Sequence, residues 1–173
     1  MIRDNQHILN RIHVVADAGV IVISYVLAWY LRFESGLFRQ DPWFLPWRVY
    51  MTALVFIVPG YLILYYIFKL YTPKRVQGRR LEAWHVIQAN VIGMLVFILA
   101  LYLRHQTNFS RMMIFVFFCV NVTLEIFMRN IIRIILRKIR SKGMNQKHVL
   151  LIGYSRAAEQ YIDRVKTNPE WGY

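Results

Sequence analysis

The distribution of apolar and polar residues divides the first three-quarters of the chain into four long apolar stretches joined by short polar segments. The stretches cover about residues 12–31, 49–70, 83–103 and 112–128. A helix of about 20 residues is about 30 Å long, which matches the hydrocarbon core of a bilayer. The pattern therefore predicts four transmembrane helices in this part of the chain, with lipid rather than water as their main surroundings.

The pattern changes after the fourth stretch. Helical periodicity continues through a basic segment to Arg140, and a linker with Ser, Gly and Asn at residues 141–146 then interrupts it. A short apolar run at residues 149–152 follows and ends at Gly153. Apolar residues at helical spacing come next: Ala158, Tyr161, Ile162 and Val165. A strand, a glycine turn and a helix in this order are typical of the opening of a Rossmann-like unit.

These elements predict a fold with two parts. The expected fold class is all-α membrane: a four-transmembrane-helix bundle, followed by the start of a Rossmann-like α/β domain. We assign residues 1–140 to the four-helix region, 141–146 to the linker, and 147–173 to the first strand and helix of the α/β domain. The sequence stops at Tyr173, before a second strand could pair with the first, so we expect this domain to be truncated.

The chain is strongly basic, with 22 Lys and Arg residues, nine Asp and Glu residues, and a formal net charge of +13. In a soluble protein this balance would indicate nucleic acid binding. Here the cations flank apolar spans, so anionic lipid head groups are the expected partner. Fourteen of the cations lie before the first span, between the second and third, or close after the fourth, and five lie in the two intervening loops. This bias predicts that both termini are cytoplasmic.

Polar residues inside the spans are the candidates for chemistry, because a charged group in hydrocarbon is costly and usually faces a partner or a wet cavity. Asp17 lies in the first span and Glu125 in the fourth, at similar depths from the predicted cytoplasmic boundary. Asn121, Glu125 and Arg129 recur at intervals of four and therefore share one helix face. The hypothesis is an intramembrane polar cluster with Glu125 paired to Arg129. Its members are Asp17, Asn90, Asn121, Glu125 and Arg129.

Two roles are open for this cluster. Polar groups in membrane helices often fix the packing and register of the helices. Alternatively, the cluster handles a substrate or a proton, as intramembrane carboxylates do in transporters. An Asp17→Asn substitution that changed neither assembly nor activity would exclude both roles.

The remaining residues indicate no catalytic, cofactor or metal site. The five histidines have no metal-ligand spacing with another His, Cys or carboxylate. Cys119 is the single cysteine and can form no intrachain disulfide. After the predicted strand, Gly153 and Ala158 fit the first and third positions of a dinucleotide fingerprint. Ser155 stands at the second position, where glycine lets the backbone approach a pyrophosphate. Packing is the expected role of this turn.

Several short motifs follow one another along the chain. They are Asp17 in the first span, Leu31-Arg32-Phe33 at its end, Leu70-Tyr71 before a basic loop, Phe109-Ser110-Arg111 opening the fourth span, Lys142-Gly143-Met144-Asn145 after it, the strand ending in Gly153, and the closing Asn168-Pro169-Glu170-Trp171-Gly172-Tyr173. Their order resembles the polyprenyl glycosylphosphotransferases of bacterial exopolysaccharide and capsule synthesis, and the resemblance covers nearly the whole chain.

The resemblance implies an activity and a location. Enzymes of this family transfer a sugar-1-phosphate from a UDP-sugar to undecaprenyl phosphate, with Mg²⁺, in the bacterial cytoplasmic (inner) membrane. Their chemistry belongs to a C-terminal catalytic domain, so the resemblance carries no catalytic residue and no cofactor over to this chain. It implies that the chain is the four-span N-terminal anchor followed by the opening of a CoA-binding-like domain. The chain is then a fragment, a truncated reading frame or a split subunit.

Two other classes of function fit the same pattern. A small four-span transporter would use Asp17 and Glu125, although the orientation bias and the added strand and helix argue against it. A membrane scaffold for polysaccharide assembly would need no catalytic residue. A homo-oligomer is compatible with each of these functions, and nucleic acid is not an expected partner.

Overall fold

The fold was analysed in a computed structural model, and the regular elements of the described part of the chain are all helices. The described residues are 2–36, 38, 45–71, 79–105, 108–141, 149–153 and 155–168. They form five α-helices: α1 (Ile2–Phe33), α2 (Trp47–Ile67), α3 (Arg79–Leu103), α4 (Arg111–Ser141) and α5 (Arg156–Thr167). Outside the described residues lie the predicted basic loop at 72–78, most of the linker, and the closing motif at 169–173.

Four of these helices are long and apolar enough to cross a membrane. Their apolar segments are Asn10–Phe33, Trp47–Ile67, Arg80–Leu103 and Arg111–Ile139. The predicted number and order of membrane helices is therefore confirmed for the described residues. Four helices of this length and composition indicate a membrane protein. The sidedness of the two termini stays a prediction.

The chain divides into two compact units. The first unit comprises α1, α2, α3 and the part of α4 that ends at Phe127. Within it, α1 packs against α2 and α2 packs against α3. Phe117 of α4 joins this packing, because its ring lies 5.3 Å from that of Tyr25 in α1 and 5.6 Å from that of Tyr61 in α2. Aromatic side chains thus hold three of the four helices together.

One glycine sets the separation of α2 and α3. A Cβ atom added to Gly93 of α3 would lie 2.7 Å from the ring of Tyr61 in α2. The Tyr61 ring is itself buried and stacks edge-on against Phe117 at 5.6 Å and Tyr65 at 6.2 Å. The absence of a side chain at Gly93 therefore lets the tyrosine ring lie directly on the backbone of α3.

The second unit contains α4 from Met128 onward and helix α5. Helix α5 begins at Arg156 because the Ser155 side chain caps it, with its Oγ accepting a hydrogen bond from the Ala158 N–H at 3.3 Å. Within the described part of the chain, the predicted strand at residues 149–152 is not formed, and Leu150 and Ile152 are 85% and 91% exposed. A strand requires a hydrogen-bonded partner, so the Rossmann-like opening is not shown by these residues. The predicted boundaries at 140 and 147 stay predictions.

Candidate functional site: buried polar residues among the membrane helices

A tyrosine and two asparagines form a buried hydrogen-bonded group that joins three helices. The hydroxyl of Tyr65 in α2 accepts hydrogen bonds from Nδ2 of Asn90 in α3 at 3.1 Å and from Nδ2 of Asn121 in α4 at 3.2 Å. Asn121 Nδ2 also donates to Asn90 Oδ1 at 2.7 Å. All three side chains have no solvent exposure. We call these residues the amide–tyrosine group.

Asn90 has a further bond within its own helix. Its Nδ2 donates to the carbonyl oxygen of Val86, one turn earlier in α3, at 2.9 Å. The Asn90 amide therefore donates a hydrogen bond to α2, accepts one from α4 and donates another to the backbone of its own helix.

Two carboxylic acids lie beside this group. Asp17 of α1 and Glu125 of α4 are both fully buried. Both carboxyl groups lie near enough to the Tyr65 hydroxyl to interact with it electrostatically. Two predicted members of the cluster, Asn90 and Asn121, therefore contact the Tyr65 hydroxyl directly, and two more, Asp17 and Glu125, lie within electrostatic range of it.

The spacing of residues along α4 explains why its polar side chains point inward. The buried residues of this helix in the first unit include Met113, Phe117, Asn121 and Glu125, at intervals of four. Residues four apart lie one above the other on an α-helix. The two apolar side chains bury this face in the aromatic core, and the two polar ones follow on the same face toward the basic end of the helix.

Arg129, the fifth predicted member, belongs to the second unit. It is buried, with an exposed fraction of 5%. The pairing of Arg129 with Glu125 remains a prediction from the sequence.

Tyr65 is not among the residues that the sequence predicted for the polar cluster. Its buried position has a local signal, because Ile57, Tyr61 and Tyr65 recur at intervals of four and are all buried. The neighbouring Tyr66 is 74% exposed. The interval of four distinguishes the two tyrosines, whereas their distance from the end of the helix does not.

A second polar group lies where α1 ends and α2 and α4 begin. Arg32 Nε donates a hydrogen bond to Ser110 Oγ at 3.3 Å, and the Ser110 N–H donates to the Tyr50 hydroxyl at 3.4 Å. The Tyr25 hydroxyl donates to the Tyr50 carbonyl oxygen at 3.0 Å. Ser110 Oγ also accepts from the Met113 N–H at 3.4 Å, which caps the start of α4.

This second group explains two of the motifs noted in the sequence. Arg32 and Ser110 come from separate motifs, and their side chains meet across 78 residues of chain. The rings of Phe33 and Phe109, which flank them in sequence, both pack on Tyr50, at 5.3 Å and 4.5 Å. Both motifs therefore serve the packing of helix ends.

The chemistry available to these groups is limited to hydrogen bonding and the holding of protons or charge. Among the described residues, no group of three or more His, Cys, Asp and Glu side chains could hold a metal ion. Amide and phenol groups are poor nucleophiles.

The turn before α5 contains a left-handed glycine and a serine that caps the helix. Gly153 adopts a left-handed φ of 91°, a conformation that glycine accommodates without strain. A phosphate at a helix N-terminus binds the free N–H groups of the first turn. Here the Ala158 N–H already donates to the side chain of Ser155. The Ser155 side chain at this turn therefore caps the N-terminus of α5.

A Tyr65→Phe substitution tests the amide–tyrosine group with a minimal change. We expect a loss of about 1 kcal/mol in the free energy of unfolding, because the buried hydrogen bonds from Asn90 and Asn121 to the hydroxyl disappear while each asparagine keeps at least one other partner. The measurement is unfolding of the purified chain in mixed detergent micelles, followed by circular dichroism. Tyr66→Phe removes the same atom from an exposed neighbour and should change stability by less than about 0.5 kcal/mol. Equal effects of the two substitutions would contradict this role of Tyr65.

Comparison with known proteins gives one match. Residues 66–172 match the model of a family described as a CoA-binding domain, and this region begins at the end of α2 and includes α3, α4 and α5. No curated protein and no solved structure matches the chain. Because the matched region covers more than half of the sequence, the chain belongs to this family of CoA-binding domains.

Proposed function

We propose that this chain is the membrane-anchoring part of an undecaprenyl-phosphate sugar-1-phosphate transferase. Such an enzyme moves a sugar-1-phosphate from a UDP-sugar to a polyprenyl phosphate and thereby initiates exopolysaccharide or capsule synthesis. In this proposal the chain supplies four membrane helices and the first part of a soluble domain. The catalytic residues and the Mg²⁺ ion belong to a catalytic domain outside these 173 residues.

One observation carries the proposal. A single family region runs through two of the membrane helices, α3 and α4, and continues into the polar helix α5. One family model therefore includes both membrane helices and the polar helix that follows them, which supports treating the two parts as belonging together. This arrangement suits an enzyme that must present a soluble domain to a lipid substrate. A scaffold or a transporter has less need of it.

The buried polar residues have a structural role in this proposal. The hydrogen bonds of the amide–tyrosine group connect α2, α3 and α4. Polar contacts of this kind fix the register of membrane helices. The name of the family mentions CoA, which is neither a substrate nor a product of the proposed sugar-1-phosphate transfer.

Reconstitution tests the proposal directly. The full chain is placed in lipid vesicles that contain undecaprenyl phosphate, and a separately purified catalytic domain of a sugar-1-phosphate transferase is added with labelled UDP-glucose or UDP-galactose and Mg²⁺. We expect the chain to increase the rate of labelled lipid formation by about tenfold or more, because an anchor raises the local concentration of the catalytic domain.

Two controls define the outcome. Vesicles without the chain, and vesicles with an unrelated four-span protein, should show only the basal rate. A rate that does not depend on the chain would contradict the proposal. Measurement of ion or sugar flux into the same vesicles separates the alternative function, since only a transporter would produce a flux that an Asp17→Asn substitution abolishes.

A further inference from the structure

The last turns of α4 form an amphipathic segment that continues beyond the length needed to cross a bilayer. The helix has 31 residues and is therefore about 46 Å long, whereas the hydrocarbon core is about 30 Å thick. The apolar run ends at Met128, and cations then recur in the sequence at 129, 133, 137 and 138. The helix nevertheless continues without a break to Ser141.

The exposed residues of this segment are divided between apolar and basic side chains. Ile131, Ile134 and Ile135 are 40%, 58% and 50% exposed. At about 100° per residue, these three isoleucines lie within an arc of about 100° on one side of the helix. Arg137 is exposed and lies outside this arc. Lys138 is also exposed, and it follows Ile134 by one turn on the isoleucine side.

This order of side chains matches the order of chemical layers at a membrane surface. The isoleucines come first along the helix and suit the boundary between acyl chains and head groups. Lys138 lies about 6 Å farther along the same face, where the head-group phosphates begin. A lysine in this position extends its apolar stem along lipid and holds its ammonium group at the phosphate level. Arg137 lies outside the isoleucine arc, and its planar guanidinium group has the geometry to donate two hydrogen bonds to a phosphate.

We propose that residues 131–138 of α4 are a binding site for anionic phospholipid. Charge complementarity selects this occupant: the segment combines exposed apolar and cationic side chains, and it contains no acidic residue between Arg129 and Ser141. A neutral lipid would satisfy the isoleucines but not the cations. The site is independent of the proposed transferase function, because it requires only that α4 lies in a membrane.

Lipid retention measured by native mass spectrometry tests this site. The full chain in mild detergent is titrated with an equal mixture of phosphatidylglycerol and phosphatidylcholine. We expect the wild-type chain to retain phosphatidylglycerol selectively. Each surface cation near a lipid surface contributes about fivefold in affinity, so the Arg137→Gln, Lys138→Gln double variant should bind phosphatidylglycerol about 30-fold more weakly. Selectivity of the wild type should also decrease as the salt concentration is raised.

A matched variant and a second readout make the outcome decisive. The matched control is an Arg48→Gln, Arg111→Gln double variant, which removes two exposed cations at the starts of α2 and α4 and should keep the wild-type selectivity. Equal retention of both lipids by the wild type, or equal losses in the two double variants, would overturn the proposal. The same spectra report the mass of the protein. A dimer that Ile134→Asn dissociates, without a change in lipid retention, would instead assign this face to a second copy of the chain.

Discussion

Replacing Gly93 with alanine is expected to destabilise the membrane helices by about 1–3 kcal/mol, although alanine is the better helix former. The added methyl group would lie 2.7 Å from the Tyr61 ring, which is closer than carbon atoms approach one another. The ring has little freedom to move, because it is buried between Phe117 and Tyr65. Either the ring leaves this stack or α2 and α3 separate, and each response loses packing. Unfolding in mixed micelles, followed by circular dichroism, measures the change.

Two other glycines provide the control for this prediction. A Cβ atom added to Gly19 of α1 or Gly60 of α2 would have no atom within 4 Å. Gly19→Ala and Gly60→Ala should therefore be neutral or should stabilise the protein by up to about 1 kcal/mol. A Gly93→Ala variant as stable as these two would show that the helices do not pack as described.

A double-mutant cycle identifies the Tyr61 ring as the source of the effect. The Tyr61→Leu substitution removes the ring atoms that the new methyl group would meet. On its own it should lower stability, because the contacts to Phe117 and Tyr65 are lost. Combined with Gly93→Ala, the cost should be smaller than the sum of the two single changes, by about 1 kcal/mol or more. Additive effects would mean that the loss of stability in Gly93→Ala comes from contacts other than those with the Tyr61 ring.

The membrane helices could be predicted from the sequence because their signal is local. A run of about 20 apolar residues has few alternatives to a transmembrane helix. The cap of α4 has a local signal too, since a serine before a helical run commonly caps the helix. The contact of Ser110 with Arg32 has no such signal, because the two residues are 78 positions apart.

The buried tyrosine shows why the rest could not be predicted as well. Tyrosines near the end of a span are typical of the head-group boundary. Both Tyr65 and Tyr66 lie near the end of a span, so this preference predicts the same position for both. In the structure, Tyr65 is buried and Tyr66 is exposed. The interval of four places Tyr65 on the same face as Ile57 and Tyr61, but the partners on the other helices decide that this face is the buried one. For the same reason the apolar run at residues 149–152 predicts a strand from its composition, whereas a strand forms only when another segment supplies hydrogen bonds.

Replacing Asn90 with leucine is expected to cost about 2–3 kcal/mol, more than the Tyr65→Phe change. The substitution removes the donor to Tyr65 and the acceptor for Asn121 in one step. The Asn121 side chain stays buried, and its Oδ1 atom has no hydrogen-bond partner even in the wild type. Burial of an amide that has lost a partner costs about 1–3 kcal/mol. Thermal and denaturant unfolding in detergent measure the loss.

The control for this change is a polar-to-apolar substitution on an exposed face. Thr123 of α4 is exposed, and its Oγ1 donates only to the carbonyl oxygen of Cys119 in its own helix, at 2.8 Å. Thr123→Val should change stability by less than about 0.5 kcal/mol. If Thr123→Val is as costly as Asn90→Leu, the loss reflects a general effect of replacing a polar side chain, such as altered detergent binding, and the buried hydrogen bonds are not its cause.

Combining Asn90→Leu with Asn121→Leu distinguishes hydrogen bonding from simple packing. Each single variant leaves one buried amide short of a partner, but the double variant leaves neither amide in place. Replacing both members of a buried hydrogen-bonded pair by apolar groups of similar shape can be nearly neutral. We therefore expect the double variant to be more stable than the sum of the single losses predicts, by about 1–2 kcal/mol. Strictly additive losses would mean that the two asparagines pack independently, and the amide–tyrosine group would then have no role in holding α3 to α4.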